Sequence, residues 1–332
     1  MTTREGEGYP ATGGTGLTSP GRAADFERTL SETVPPERLV RDAPMREHTS
    51  FRVGGPADYL VTVETATELL AVLGLCRSSG VPFLVLGRGT NLLVRDGGIR
   101  GVVVRLGGEF LAVESDDARV RAGAGVALAD LARRCGRRGL SGLEFAVGIP
   151  GTVGGAVVMN AGAYGSEMRD VLSAAECVRP DRLEEGVRTF PAAELDLAYR
   201  TSRPQREGWV VVSAVLALRH GDPDEIRRRE EDFTVRRRAR QPLDLPSAGS
   251  VFKRPAGFFA GTLIEEAGCK GWREGDAQVS ELHAGFIVNR GAATARDVLR
   301  LIERVRQAVF ERSGVWLEPE IRVVGEDLAV EK

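Results

Sequence analysis

Three groups of residues in this chain have types and spacings that could do chemistry. The first is a run of glycines, Gly148, Gly151, Gly154, Gly155 and Gly162, within EFAVGIPGTVGGAVVMNAGAYGSEMRD, from Glu144 to Asp170. Glycine is costly inside helices and strands, so this density predicts backbone that takes positive φ or lies directly against a ligand. Pro150 stiffens the first turn, and Ala156, Ala161 and Ala163 leave room for a flat, bulky partner. Ile149, Val153, Val157, Val158 and Met159 alternate with the glycines, which a flexible linker would not do. The second group is the turn LGRGTNLLV, Leu86 to Val94. The third is a set of polar pairs among apolar strands: Tyr199 with Arg200, Ser250 with Lys253, and Glu318 with Glu320. Successive N–H groups in glycine turns suit anions, and a guanidinium suits a carboxylate because its planar fork binds both oxygens and stays charged. Plainer readings stand beside these: a surface ion pair for Arg200, and for Ser250 a hydroxyl that bonds its own backbone.

Other chemistries lack their minimum equipment. There is no HExxH, Walker lysine, GxSxG or CxxC, which leaves redox chemistry on a bound cofactor. Cys76, Cys135, Cys177 and Cys269 are far apart in sequence, which disfavours a metal site and fits reduced thiols in a cytoplasm. A net charge of −2 gives no global attraction for nucleic acid or anionic lipid, and no apolar run is long enough to span a bilayer. A dinucleotide fold would need GxGxxG opening a long helix, whereas Gly87 and Gly89 are followed by Leu92 and a second apolar segment. His48, His220 and His283 give no pattern of their own.

The elements that must position these groups read as an α+β protein. Residues 1–24 carry almost no large apolar side chain and are expected to be a disordered leader. Tyr59 to Val63 alternates as a strand. Thr65 with Glu68 forms a capping box for a helix that closes at Gly80, and VPFLVLG is a buried strand. A helix is expected from about Ala127 to Arg138, ending at Gly139. AAECVRP, VRTF and WVVVSAVLAL read as strands, and Asp222 with Pro223 starts a basic helix whose Arg227 to Arg238 face is expected to be solvated. Thr294 with Asp297 caps a last helix with the apolar stripe Val298, Leu301, Ile302, Val305 and Val309. The expected division is a leader (1–24), a cofactor domain (25–221, with a subdomain boundary near 107), a substrate domain (222–325) and a tail (326–332).

The glycine run and LGRGTNLLV together resemble the UDP-N-acetylenolpyruvoylglucosamine reductases, flavoenzymes of peptidoglycan precursor synthesis, and the likeness runs from about Thr49 to Gly325. It implies a two-part FAD-binding domain of the PCMH/vanillyl-alcohol-oxidase type plus a C-terminal α+β substrate domain. It also implies NADPH as reductant and a UDP-sugar substrate. FAD would be held without a covalent bond, since Asn91 stands in the loop where covalently flavinylated members of the wider superfamily often carry histidine. Its contacts would come from Gly87, Arg88, Gly89, Thr90 and Asn91, and from Gly148, Ile149, Pro150, Gly151, Gly154, Gly155, Asn160 and Gly162. By the same resemblance Arg200 contacts the substrate's enolpyruvyl carboxylate, Ser250 is the proton donor and Glu320 is the third active-site residue. Tyr199, Arg240 and Lys253 are the expected substrate contacts. The chain resembles the shorter branch, since Tyr199 to Asp222 carries no inserted substrate-covering tyrosine. A flavin-dependent oxidase of the same cofactor fold is the alternative, and oligomeric state is not read from the sequence.

Overall fold

The computed structural model describes residues 20–328. Of the expected leader, residues 1–19 lie outside that range, but Pro20–Thr33 is a helix, so the leader does not extend to Ala24. Phe26, Leu30 and Val34 account for the difference, because they bury one face of this helix in a core and order the turn before Phe26 as well. Residues 329–332 of the expected tail also lie outside the described range.

The chain forms two compact units, each made of separated segments. The first comprises 20–41, Tyr59–Gly87 and Gly101–Val235, and the second Asp42–Asp58, Arg88–Arg100 and 236–328. This differs from the expected cut at residue 222. The basic helix, Pro223–Arg240, starts where Asp222 accepts the Asp224 N–H at 2.9 Å, but most of it belongs to the first unit. Ile226 is buried and would meet a Cβ on Gly136 at 3.0 Å, and Arg229 pairs with the buried Glu144 at 3.1 Å. On the face expected to be solvated, Arg229 is therefore anchored.

Two sheets build the first unit. One has the strand order Leu39–Pro44, Pro56–Val63, Ile99–Leu106, Phe83–Leu86, with the last two parallel. The other is antiparallel, in the order Val187–Pro191, Leu172–Val178, Val210–Ala217, Arg119–Gly123, Val113–Asp116. The first sheet thus ends at Leu106 and the second begins at Val113. Helix Ala66–Ser79 is capped by the Thr65 hydroxyl, which accepts the Glu68 N–H at 3.2 Å, and it ends on left-handed Gly80. The Glu68 carboxylate also has partners beyond that capping box. Glu68 accepts both Arg38 guanidinium nitrogens, at 2.8 and 2.7 Å, and the Glu64 N–H, so its carboxyl lies below the usual carboxylate range chiefly because of Arg38.

The second unit has its own core around Phe51, Leu93, Val251, Ile264, Leu301 and Ile321. Its longest element, Ala295–Ser313, has the expected capping box of Thr294 and Asp297, buries the expected stripe and stops at left-handed Gly314. Asp96 adds a second cap, accepting the N–H groups of Ala295 and Arg296 at 2.8 and 3.0 Å and so satisfying two donors that the helix leaves unpaired. Elsewhere in this unit the neutral His283 ring accepts the Gly285 N–H on Nδ1 at 3.1 Å.

Burial holds the His283 pKa below its usual value of 6.5, so the unfolded chain takes up this proton more readily than the folded one. Its contribution to stability is present above pH 6.5 and is lost as pH falls from there through the lower folded value. Urea titrations should show the unfolding free energy falling across that window, and His283→Asn, which keeps an acceptor without a proton to gain, should remove part of the slope.

Candidate functional site

In the first unit, Tyr199 and Arg200 form the tip of a tight turn. Ala198 and Thr201 exchange two backbone hydrogen bonds of 3.0 and 3.1 Å, and Arg200 takes φ +56°. A non-glycine residue is rarely held there, and strain of this kind costs about 1–3 kcal/mol unless the surroundings over-determine it. The surroundings do. Ser202 is buried and donates to the Val158 carbonyl at 2.7 Å, and it caps helix Arg203–Glu207 by accepting the Gln205 N–H. Asn160 donates from Nδ2 to the Ala198 carbonyl at 3.1 Å and accepts the Arg169 N–H on Oδ1 at 3.0 Å. The Arg200 guanidinium donates to the Gly162 carbonyl at 3.3 Å and lies over the half-exposed Tyr199 ring.

Asn160 was expected to touch a cofactor, but it is 0% exposed at φ +41° and its amide is spent on these two partners. The glycine run also departs from expectation. None of Gly148, Gly151, Gly154, Gly155 or Gly162 takes a left-handed φ. Two of the five answer to packing within the chain. A Cβ on Gly154 would lie 2.8 Å from the Ala124 Cβ, and one on Gly162 would lie 2.7 Å from the Ser166 carbonyl. Gly155 is different, since it is exposed on the short helix Val153–Val158 and a Cβ there would meet only the Thr152 hydroxyl, at 3.5 Å. Thr152, which sequence reasoning missed, is buried, accepts the Gly155 N–H and would crowd any Cβ on Gly87 to 2.7 Å. The signal for Thr152 was its place just ahead of a glycine pair, as a helix cap. Ile149 is half-buried and Pro150 is exposed in the turn before it.

In the second unit, Gly89 is glycine for two reasons: φ is +60°, and a Cβ would sit 2.5 Å from the His48 carbonyl. Its own carbonyl accepts the Ser50 N–H at 3.2 Å, and the Ser50 hydroxyl donates to Ser247 at 2.7 Å. The N–H groups of Gly89 and Thr90 have no acceptor among the described residues, and Arg88 beside them is exposed. Consecutive free N–H groups around a left-handed residue form a concavity for an anion, which fits the diphosphate of a dinucleotide. After the turn, Leu92–Val94 pairs in parallel with Arg322–Val324. Asn91 donates from Nδ2 to the Glu320 carbonyl at 3.2 Å and accepts the Arg322 N–H at 3.0 Å. Glu320 in turn donates its N–H to the Val251 carbonyl at 2.7 Å, beside the exposed Ser250. Asn91, Ser250 and Glu320 are thus drawn together by main-chain bonds. Lys253 pairs with the exposed Glu318 at 3.2 Å, and Arg240 is exposed at its helix end. Among the described residues no acidic, histidine or cysteine cluster could hold a metal.

Comparison with known proteins gives one consistent answer. Residues 57–182 match the family described as an FAD binding domain, and residues 241–324 match the one described as UDP-N-acetylenolpyruvoylglucosamine reductase, C-terminal domain. The UDP-N-acetylenolpyruvoylglucosamine reductase of Alkaliphilus oremlandii is 48% identical over 90% of this chain and 98% of its own. Reductase 2 of Symbiobacterium thermophilum is 50% identical over 90% and 96%. The crystal structure of the Thermus caldophilus reductase superposes with a TM-score of 0.73 at 41% identity, covering 86% of this chain and 97% of that one.

The two adjacent glycines should separate on mutation. Gly154→Ala forces Ala124 aside and should lower the unfolding midpoint. Gly155→Leu, which meets no backbone, should leave the apoprotein's midpoint unchanged while lowering the flavin-to-protein absorbance ratio of the purified holoprotein.

Proposed function

We infer the roles of individual residues from one premise: the chain belongs to the UDP-N-acetylenolpyruvoylglucosamine reductase family. It is an FAD-dependent oxidoreductase that reduces the enolpyruvyl ether of UDP-N-acetylglucosamine to UDP-N-acetylmuramate in peptidoglycan precursor synthesis, with NADPH as reductant. Its fold is α+β, with an FAD-binding domain of the PCMH/vanillyl-alcohol-oxidase type. It is of the shorter branch, because helix Arg203–Glu207 and strand Val210–Ala217 fill most of the interval from Tyr199 to Asp222.

The paired free N–H groups of Gly89 and Thr90 fit the FAD diphosphate, with Arg88 alongside, and the open flank at Gly155 fits a flat ring. Gly87, Asn91, Gly148, Ile149, Pro150, Gly151, Gly154 and Gly162 are the further residues assigned to FAD contacts by their match to the family's motifs. When bound, reduced FAD supplies the hydride that the substrate's vinyl carbon accepts. Arg200 binds both oxygens of the substrate carboxylate through its planar guanidinium fork and holds the negative charge that builds on it. Glu320 hydrogen-bonds the carboxylate end of the substrate. Ser250 delivers its hydroxyl proton to the α-carbon, giving the lactyl ether. Tyr199, Lys253 and Arg240 contact the substrate, Arg240 at the UDP diphosphate. The observation that carries this reading is the 2.7 Å bond from the Glu320 N–H to the Val251 carbonyl, because it sets two proposed catalytic side chains on adjoining main chains. We assign the enzyme to the cytoplasm, where four buried free cysteines stay reduced.

Ser250→Ala should bleach with NADPH at close to the normal rate, since that step needs no proton from Ser250. Reoxidation by the enolpyruvyl sugar should slow by about 10²- to 10⁴-fold. Arg200→Lys should weaken both sugar binding and reoxidation, because an ammonium cannot make the two-point contact. Stopped-flow absorbance of the two half-reactions reads both; equal slowing of both in Ser250→Ala would remove its assignment as proton donor. Turnover with oxygen in place of the sugar would favour an oxidase.

A further inference from the structure

We propose that Asn160 is a positioning residue for substrate-carboxylate recognition: its amide holds the Tyr199–Arg200 turn in the conformation that presents Arg200. The proposal rests on the reading of Arg200 as the carboxylate-binding residue. The hydrogen bonds fix which way the amide faces, because the Arg169 N–H must meet oxygen and the Ala198 carbonyl must meet nitrogen. The Ala198 carbonyl also receives the Thr201 N–H, so one oxygen closes the turn and is tied from behind. Both Asn160 and Arg200 sit at positive φ, +41° and +56°. Backbone held in such a region persists where its surroundings over-determine it, and the Asn160–Ala198 bond is one of the contacts that do so here. The lid over Asn160 is protein, since the residue is 0% exposed, and its side chain has no surface to offer a cofactor. The charged groups around it are Arg169, paired with Glu167, together with Asp170 and Arg200.

Asn160→Asp tests this in the holoenzyme through its pH profile. With the carboxyl ionised, an oxygen faces the Ala198 carbonyl where an N–H stood. KM for the enolpyruvyl sugar should then exceed wild type by about tenfold or more, the scale of one buried unsatisfied group. Flavin content and bleaching by NADPH should match wild type. As pH falls and the carboxyl takes up a proton, its O–H can donate to Ala198 while its C=O still accepts from Arg169, and the KM ratio should close toward one. The ratio of Thr201 amide exchange in Asn160→Asp to that in wild type at the same pH should exceed one at high pH and close toward one along the same titration, whatever Arg200 binds. Asn160→Gly, which relieves the +41° φ but deletes both bonds, should raise KM at every pH. Flavin lost in step with activity would make Asn160 a cofactor ligand, and a KM ratio of one at high pH would overturn the proposal. An unchanged KM in Arg200→Ala would instead overturn the reading of Arg200 on which it rests.

Discussion

The second unit depends on a three-residue parallel pairing, Leu92 to Val94 against Arg322 to Val324. Three ladder residues contribute little by themselves. Their importance is in what they align: Asn91 at one end reaches the Glu320 carbonyl, and Asp96 beyond the other end caps the long helix. Slipping the register by one residue would turn Leu93, which is fully buried, toward the opposite face. The core therefore holds the register, and the register holds Asn91 beside Glu320 and Ser250.

The first unit positions its functional side chain by a different device. Arg200 is on a turn rather than in a ladder, and its backbone is in a region that glycine or asparagine would occupy more readily. Ser202 and Asn160 tie that turn down from both sides. Buried hydrogen bonds offset the strain at Arg200.

Much of this was legible in the chain. Periodicity and capping residues located the last helix, from Thr294 to Gly314, because propensity, cap and core face all agree there. The GRGTN turn and the polar pairs were visible as residue types out of keeping with their apolar neighbours. What could not be read was the partnership of distant polar atoms. Glu68 reads as half of a capping box, but its strongest partner is Arg38, some thirty residues earlier. Glycines looked alike in sequence, but a Cβ on Gly154 would collide with Ala124, whereas one on Gly155 would make only an ordinary contact with Thr152. Asn160 looked like a surface for a ligand because its burial depends on Ala198 and Arg169, which no local pattern announces. The leader's limit was missed for a similar reason, since Phe26 and Leu30 order the residues ahead of them.

The split of the second unit into Asp42–Asp58, Arg88–Arg100 and the C-terminal segment also bears on how the protein is made. Leu92 leaves the ribosome 230 residues before its strand partner, Arg322. At ordinary synthesis speeds that interval lasts roughly ten to fifty seconds. Throughout it, the apolar strand after the GRGTN turn has no ladder to join, and Asp96 has no helix to cap. Closing so long a loop is entropically costly and slow, so nascent chains must keep Leu92, Leu93 and Val94 from pairing elsewhere. Truncation before Arg322 would leave Leu92 to Val94 without their ladder partner as well as removing the last strand, so a defect at one end of the sequence would be felt some 230 residues away.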